Sequence, residues 1–156
     1  MRIIRITGTF YILVPLLVLL FSCASAPYAQ TDRGVLKLVD LINAGEVNKV
    51  EGLAQVPFAL DMETLYLESD VATYWNNLHE AGFTMTGPRV ESVEHVSDNS
   101  WQAFADSYDM KNFFARYTGE DTSLVTLKTG EGTFYLLLER ALRGYPRIRG
   151  IKGPVQ

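Results

Sequence analysis

The chain runs to 156 residues, with 18 acids against 14 lysines and arginines, a formal charge of −4 and one cysteine. A lone cysteine excludes an intramolecular disulfide, and the acidic balance is a poor match for nucleic acid, whose affinity rests on phosphate neutralisation. The length suits a single domain able to bury a core, and no internal repeat or long low-complexity tract divides it.

Arg2 and Arg5 precede an apolar run from Phe10 to Phe21, which Ser22 and Cys23 close. A charged start, apolar middle and small-residue exit are the order of a secretory signal peptide. As a helix the run reaches roughly 18 Å, short of the ~30 Å hydrocarbon core, so it is not read as a permanent span. A soluble secreted protein would be cut after Ala24-Ser25-Ala26, but Pro27 follows that bond, and its fixed φ suits an extended protease substrate badly. Leu20-Phe21-Ser22-Cys23 resembles the lipobox of bacterial lipoproteins. The resemblance implies cleavage before Cys23 and attachment of palmitate-type chains at that residue, which accounts for an otherwise unpaired thiol in an exported chain. Residues 1–22 are then the signal, 23–32 a small, polar tether and 33–156 the domain. Loss of Arg2 and Arg5 takes two cations from the formal −4 and leaves −6. Ala24 and Ser25 lack the aspartate that resembles an inner-membrane retention signal. The expected location is the cell envelope, on the periplasmic face of the outer membrane.

Val35, Leu38, Val39 and Ile42 fall on one face of a helix over 33–44, with Asp32 placed to cap it and Gly45 to end it. Val47 to Gln55 reads as a short helical turn. Val56 to Leu60 reads as a strand that Pro57 confines to an edge or a strand start, and a turn at Asp61–Thr64 leads to a second short strand, Leu65 to Glu68. The next helix has Ser69 as N-cap, Val71, Tyr74, Trp75 and Leu78 as its buried stripe, and Gly82 as C-terminal cap with Phe83 folding back. Arg89 to Val96 reads as a strand with a bulge. Two aromatic helical stripes follow, Trp101, Phe104, Ala105, Tyr108 and then Met110, Phe113, Phe114, Tyr117, separated near Asp109. Leu124–Thr129 and Thr133–Glu139 form a hairpin through Gly130-Glu131-Gly132, and the all-apolar Phe134–Leu138 predicts a strand covered on both faces. After a turn at Arg143–Pro146, Arg147–Lys152 closes the chain, with a bulge at Gly150 bringing Ile148 and Ile151 to one side.

Helices that come first and pack on one face of a mostly antiparallel sheet make an α+β domain. The order resembles the NTF2-like (cystatin-like) cone, on Val56-Pro57-Phe58 before the Ser69–Gly82 helix and on Thr133–Glu139 followed by Pro146–Gly153. The resemblance covers residues 33–152 and implies a curved, mostly antiparallel sheet wrapped around N-terminal helices, with a pocket between. It also implies a choice, because that architecture hosts isomerases, hydrolases, dehydratases and non-catalytic binding modules. Its enzymes commonly place an Asp–His or Asp–Tyr pair in the pocket, and no such pair carries over here residue by residue.

His79 and His95 are the only histidines, and both sit where surface roles are expected. Two distant histidines without a spaced third ligand do not make a zinc signature, so neither a metal nor a cofactor is expected. Asp61 and Glu63 in the hairpin turn are close enough to chelate a cation or share a proton, against the plainer reading of two solvated acids. After Glu139 come Arg140, Arg143, Arg147, Arg149 and Lys152 with no acid. They read either as a solvated basic hairpin paired with acids elsewhere or as a contact for anionic headgroups. The pocket is expected to be mostly apolar, with Tyr66, Tyr74 or Tyr135 orienting a small amphipathic ligand. The resulting expectation is a lipid-anchored envelope domain that binds such a ligand or an envelope protein without catalysis. The alternatives are a small pocket enzyme of isomerase or hydrolase type, using a histidine with an acid or tyrosine, and a structural assembly protein.

Overall fold

The computed structural model describes residues 32–142 and 144–156, with the side chains of 141 and 142 left aside. The signal, Cys23, the tether up to residue 31, and Arg143 lie outside these residues. The described chain runs α1 (Asp32–Asn43), α2 (Val47–Leu53), β1 (Ala54–Leu60), β2 (Glu63–Leu65), α3 (Glu68–Glu80), β3 (Arg89–His95), a 3-10 turn (Ser100–Ala103), α4 (Tyr108–Tyr117), β4 (Ser123–Thr129), β5 (Gly132–Leu142) and β6 (Tyr145–Val155). The six strands form one open sheet in the order β2-β1-β6-β5-β4-β3. Only the β1–β6 pair is parallel. The fold class is therefore α+β with a mixed sheet. None of the described helices is long and apolar enough to cross a membrane.

Local chemistry sets both of the longer N-terminal helix ends. At α1 the Gly45 N–H donates to Ile42 O and the Glu46 N–H to Leu41 O, while Gly45 takes φ 65°. The same pattern closes α3, where Gly82 (φ 66°) donates to His79 O and Phe83 to Leu78 O. These crossed bonds satisfy carbonyls that the helix leaves orphaned, and glycine reaches the left-handed region without a Cβ penalty. Phe83 then packs edge-on against Phe134, with ring centroids 5.9 Å apart.

Alternation along β5 divides the interior into two layers. Phe134, Leu136 and Leu138 face α1, α2 and α3, joining Val35, Leu38, Val39, Val71 and Trp75 in the larger core. Leu137 faces the other way, where it packs with Ala59, Leu124, Phe104, Met110, Phe113 and Phe114. The expected coverage of this strand on both faces is present. The one-sided placement of the helices is not, because the 3-10 turn and α4 cover the second face.

Several assignments differ from the sequence reading: Ala54 and Gln55 open β1 instead of ending the short helix, β5 runs on to Leu142, and β6 spans Tyr145–Val155, so Tyr145 and Pro146 belong to the strand and not to the turn. Strand β2 occupies Glu63–Leu65 rather than Leu65–Glu68, since α3 begins at Glu68 and takes Ser69 into its first turn, with Leu67 at the N-cap. Strand β1 lies between β2 and β6, but β2 reaches only as far as Phe58, so Pro57 has no strand partner on that side. It also falls where the β1–β6 register shifts between Ala54 and Ala59, a stretch that asks no ladder bond of its missing N–H. The first aromatic stripe is a 3-10 turn, and the break before α4 lies at Ser107, whose hydroxyl accepts from Met110 N at 3.2 Å. Asp109 is inside α4.

Bulges set the register of β6. Leu137 pairs with Gly150 and Leu138 with Ile148, so Arg149 is the extra residue. Ile148 and Ile151 thus reach the same core, as the sequence predicts. A Cβ at Gly150 would lie 2.8 Å from both the Cβ and the carbonyl oxygen of Ala59, so only glycine fits between the strands here. Val56 and Pro57, left without ladder partners on that side, accept from Arg149 Nη1 at 3.2 and 3.4 Å. Arg149 Nε in turn donates to Glu139 Oε1 at 2.7 Å. A side chain thereby replaces the missing main-chain donors, and its charge is matched by a buried carboxylate.

The β4–β5 turn is tied to the segment before β3. Gly130 N donates to Thr86 O at 2.7 Å, while Thr86 Oγ1 and N donate to the two Glu131 oxygens at 2.6 and 2.9 Å. These bonds, the hydroxyl's first, lower the Glu131 carboxyl from 4.5 to about 2. A depressed pKa contributes stability that is present above the unfolded value and lost as pH falls from about 4.5 to about 2. A carboxyl-detected NMR titration is expected to place the Glu131 midpoint near 2, and Thr86→Ala to raise it. A midpoint at the ordinary glutamate value in the parent protein would contradict the tie.

Candidate functional site

The space between the helices and the sheet, where the resemblance implies a pocket, is filled by side chains. A cavity of about 20 Å³ lies among α1, α2 and α3, bounded by Ile42, Gly45, Val50, Trp75, Leu78, His79 and Phe83 among others, with no strand residue in its lining. That is about the room one water molecule needs, far below the few hundred Å³ of a small-molecule site. Aromatic packing accounts for the filling. Phe58, Tyr74 and Trp75 form a cluster with ring centroids 4.9 to 6.4 Å apart, and Trp75 is only 3% exposed.

The three tyrosines are not gathered into one site. Tyr66 follows β2 and is 63% exposed. Tyr74 is half-buried on α3 in the larger core, and Tyr135 is half-buried on β5 against the second layer. Burial, and secondarily the Asp61 charge, push the Tyr74 phenol well above its ordinary range, so it stays protonated at physiological pH.

His79 is exposed in the last turn of α3, with its ring lying over Gly45. His95 is exposed at the end of β3, on the far side of the sheet order from β1. Neither imidazole has a carboxylate partner among the described residues. Asp61 takes φ 51° in the β1–β2 turn, donates its N–H to Ile151 O at 3.0 Å and accepts from Gly153 N at 3.0 Å. Its carboxylate thus fastens the hairpin to β6. No group of three acids, histidines or cysteines suited to a metal occurs among the described residues.

Three of the C-terminal cations, Arg147, Arg149 and Lys152, are held by protein partners. Arg149 and Arg147 pair with Glu139 at 2.7 and 3.3 Å, and the Glu139 side chain is 7% exposed. Lys152 Nζ donates to the Phe104 carbonyl, which fastens the second layer to β6. These three side chains are committed to protein partners, a pairing the sequence suggests only in general terms because Glu139 precedes the basic run.

Outside the core the surface carries open grooves, and one of them combines apolar and charged groups. It has a volume of about 540 Å³ and lies between the β1–β2 hairpin and α4. Met62, Thr64 and Tyr66 line one wall at spacing two, and Asp109, Asn112, Phe113, Arg116 and Tyr117 line the other at helical spacing. The signal for it was present in those two periods, but nothing local says that the two segments meet. Compared with known proteins, the chain matches no family model and no curated protein.

Proposed function

We propose that the protein is a lipid-anchored envelope protein whose NTF2-like domain binds a protein partner on its outer surface without catalysis. The observation that carries this reading is the filled interior. Where a cone of this kind would hold a ligand, Leu38, Phe58, Trp75, Leu136 and Ile148 pack together, each no more than 3% exposed. The order β2-β1-β6-β5-β4-β3, with β1 parallel to β6 and three helices against one face, supports the NTF2-like assignment. The lipobox-like Leu20–Cys23 supports the anchor. Acyl chains contribute about 0.8 kcal/mol per buried methylene, so two or three of them hold a domain on a membrane durably. Among the described residues, the exposed histidines and the fastened Asp61 form no positioned pair for general acid–base chemistry.

The test is metabolic labelling with a palmitate analogue. The parent protein is expected to label and to fractionate with membranes, and Cys23→Ala to lose the label and accumulate as precursor. An unmodified mature N-terminus downstream of Cys23 would overturn the anchor. Turnover in a screen of hydrolase and isomerase substrates, abolished by His79→Ala or His95→Ala, would overturn the non-catalytic reading.

A further inference from the structure

We infer that the groove between β2 and α4 is the docking site for a short extended segment of the partner protein, one that alternates apolar side chains with lysine or arginine. The inference rests on the reading of the domain as a surface-binding module and specifies where and what it binds. Three features of the groove converge on that occupant.

The first is a pair of exposed apolar side chains in its wall. The large apolar side chains that stand exposed among the described residues are Met62 (69%), Tyr66 (63%), Leu67 (61%) and Tyr108 (77%). Met62 and Tyr66 line the groove, Leu67 follows Tyr66, and Tyr108 opens the helix that forms the opposite wall. Met62 and Tyr66 are thus two exposed apolar anchors in a groove whose surface is otherwise mostly polar.

The second is backbone. Strand β2 is an outermost strand of the sheet, and its side away from β1 pairs with no other strand. An extended segment can add there through main-chain hydrogen bonds, with alternate side chains entering the groove.

The third is charge. Glu63 and Asp109 line the groove, and neither is in an ion pair. The hairpin segment 61–70 carries four acids and no cation. On α4, Lys111 stands over the Trp101 ring at 5.9 Å and borders a different groove, so Arg116 is the cation lining this one. A two-fold contact of this groove with itself would bring acid against acid, and an anionic membrane surface would meet the same repulsion. A cationic segment is the complementary occupant.

The experiment uses the full chain in zwitterionic nanodiscs, with empty discs as the blank. The probes are a fluorescein-labelled peptide alternating lysine with valine and its glutamate-for-lysine counterpart, read by anisotropy. The lysine peptide is expected to bind and the glutamate peptide not to. Glu63→Lys with Asp109→Lys is expected to weaken the lysine peptide about tenfold or more, as is added salt, and to favour the glutamate peptide. Tyr66→Ala, at an exposed position that leaves folding intact, is expected to weaken binding without altering the charge preference. Reversal of Glu46 and Glu51, away from the groove, is expected to change nothing.

Lysine-peptide binding indifferent to both groove variants overturns this site while leaving surface binding in place. Self-association abolished by Tyr66→Ala replaces the partner segment with a second copy and overturns the stated occupant. Failure of the lysine peptide to bind overturns the stated chemistry. The non-catalytic reading itself falls only to the turnover screen.

Discussion

Trp75→Ala is expected to lower the unfolding free energy by about 3–5 kcal/mol, a large share of what a domain of this size holds. The indole is 3% exposed and meets Phe58 and Tyr74 edge-on, at 6.3 and 4.9 Å between centroids. Its removal strips apolar contacts from α3 and opens a void where the helix, β1 and the cavity beside Gly45 meet. The loss includes a cavity term because neighbours fixed in helices and strands cannot close in. Equilibrium urea unfolding checks this, with Trp101 in the other layer as the remaining fluorophore. A midpoint close to the parent's would mean that α3 does not bury this face.

Glu139→Ala is expected to cost about 3–5 kcal/mol, the range found when one member of a buried ion pair is removed. The Arg149 side chain, 14% exposed, would keep its charge and its bonds to Val56 and Pro57 but lose its carboxylate. Arg147, at 34%, reaches water more easily and loses less. The damage should therefore concentrate at the β1–β6 junction. Hydrogen exchange is expected to quicken there and to stay slow in β4. Arg147→Ala should be milder than Arg149→Ala by the same argument. Equal costs for the two would show that burial does not decide the energetics here.

Elements whose causes are local were legible in the sequence. Gly45 and Gly82 end α1 and α3 where an apolar stripe at helical spacing gives way to glycine. The loop Gly130-Glu131-Gly132 joins two strands for the same kind of reason. The bulge that brings Ile148 and Ile151 together was legible because strict alternation fails at Gly150. What the sequence withheld is long-range. An aromatic stripe such as Phe113, Phe114 and Tyr117 announces burial, but it does not say which face of which sheet it covers. The parallel pairing of β1 with β6 joins segments more than ninety residues apart, and no local pattern marks it.

The site shows the same division. Tyr66, Tyr74 and Tyr135 share a chemistry, but the two faces of the sheet separate Tyr74 from Tyr135. Glu139 and Arg149 look like ordinary members of a charged hairpin until a one-residue bulge places the guanidinium against the Val56 and Pro57 carbonyls. The groove between the hairpin and α4 follows from the covering of the second face, so it could not be read before that covering was known.

The central claim is that the interior is closed and that binding takes place outside it. Its most direct test is a methyl NMR titration of the domain lacking residues 1–23 with small apolar ligands such as indole and a short fatty acid. The methyls of Leu38, Leu136 and Ile148, which line the space between helices and sheet, are the reporters. The account predicts no saturable shift at these methyls for any of the ligands. A saturable, one-to-one shift confined to them would establish an internal ligand site and contradict it.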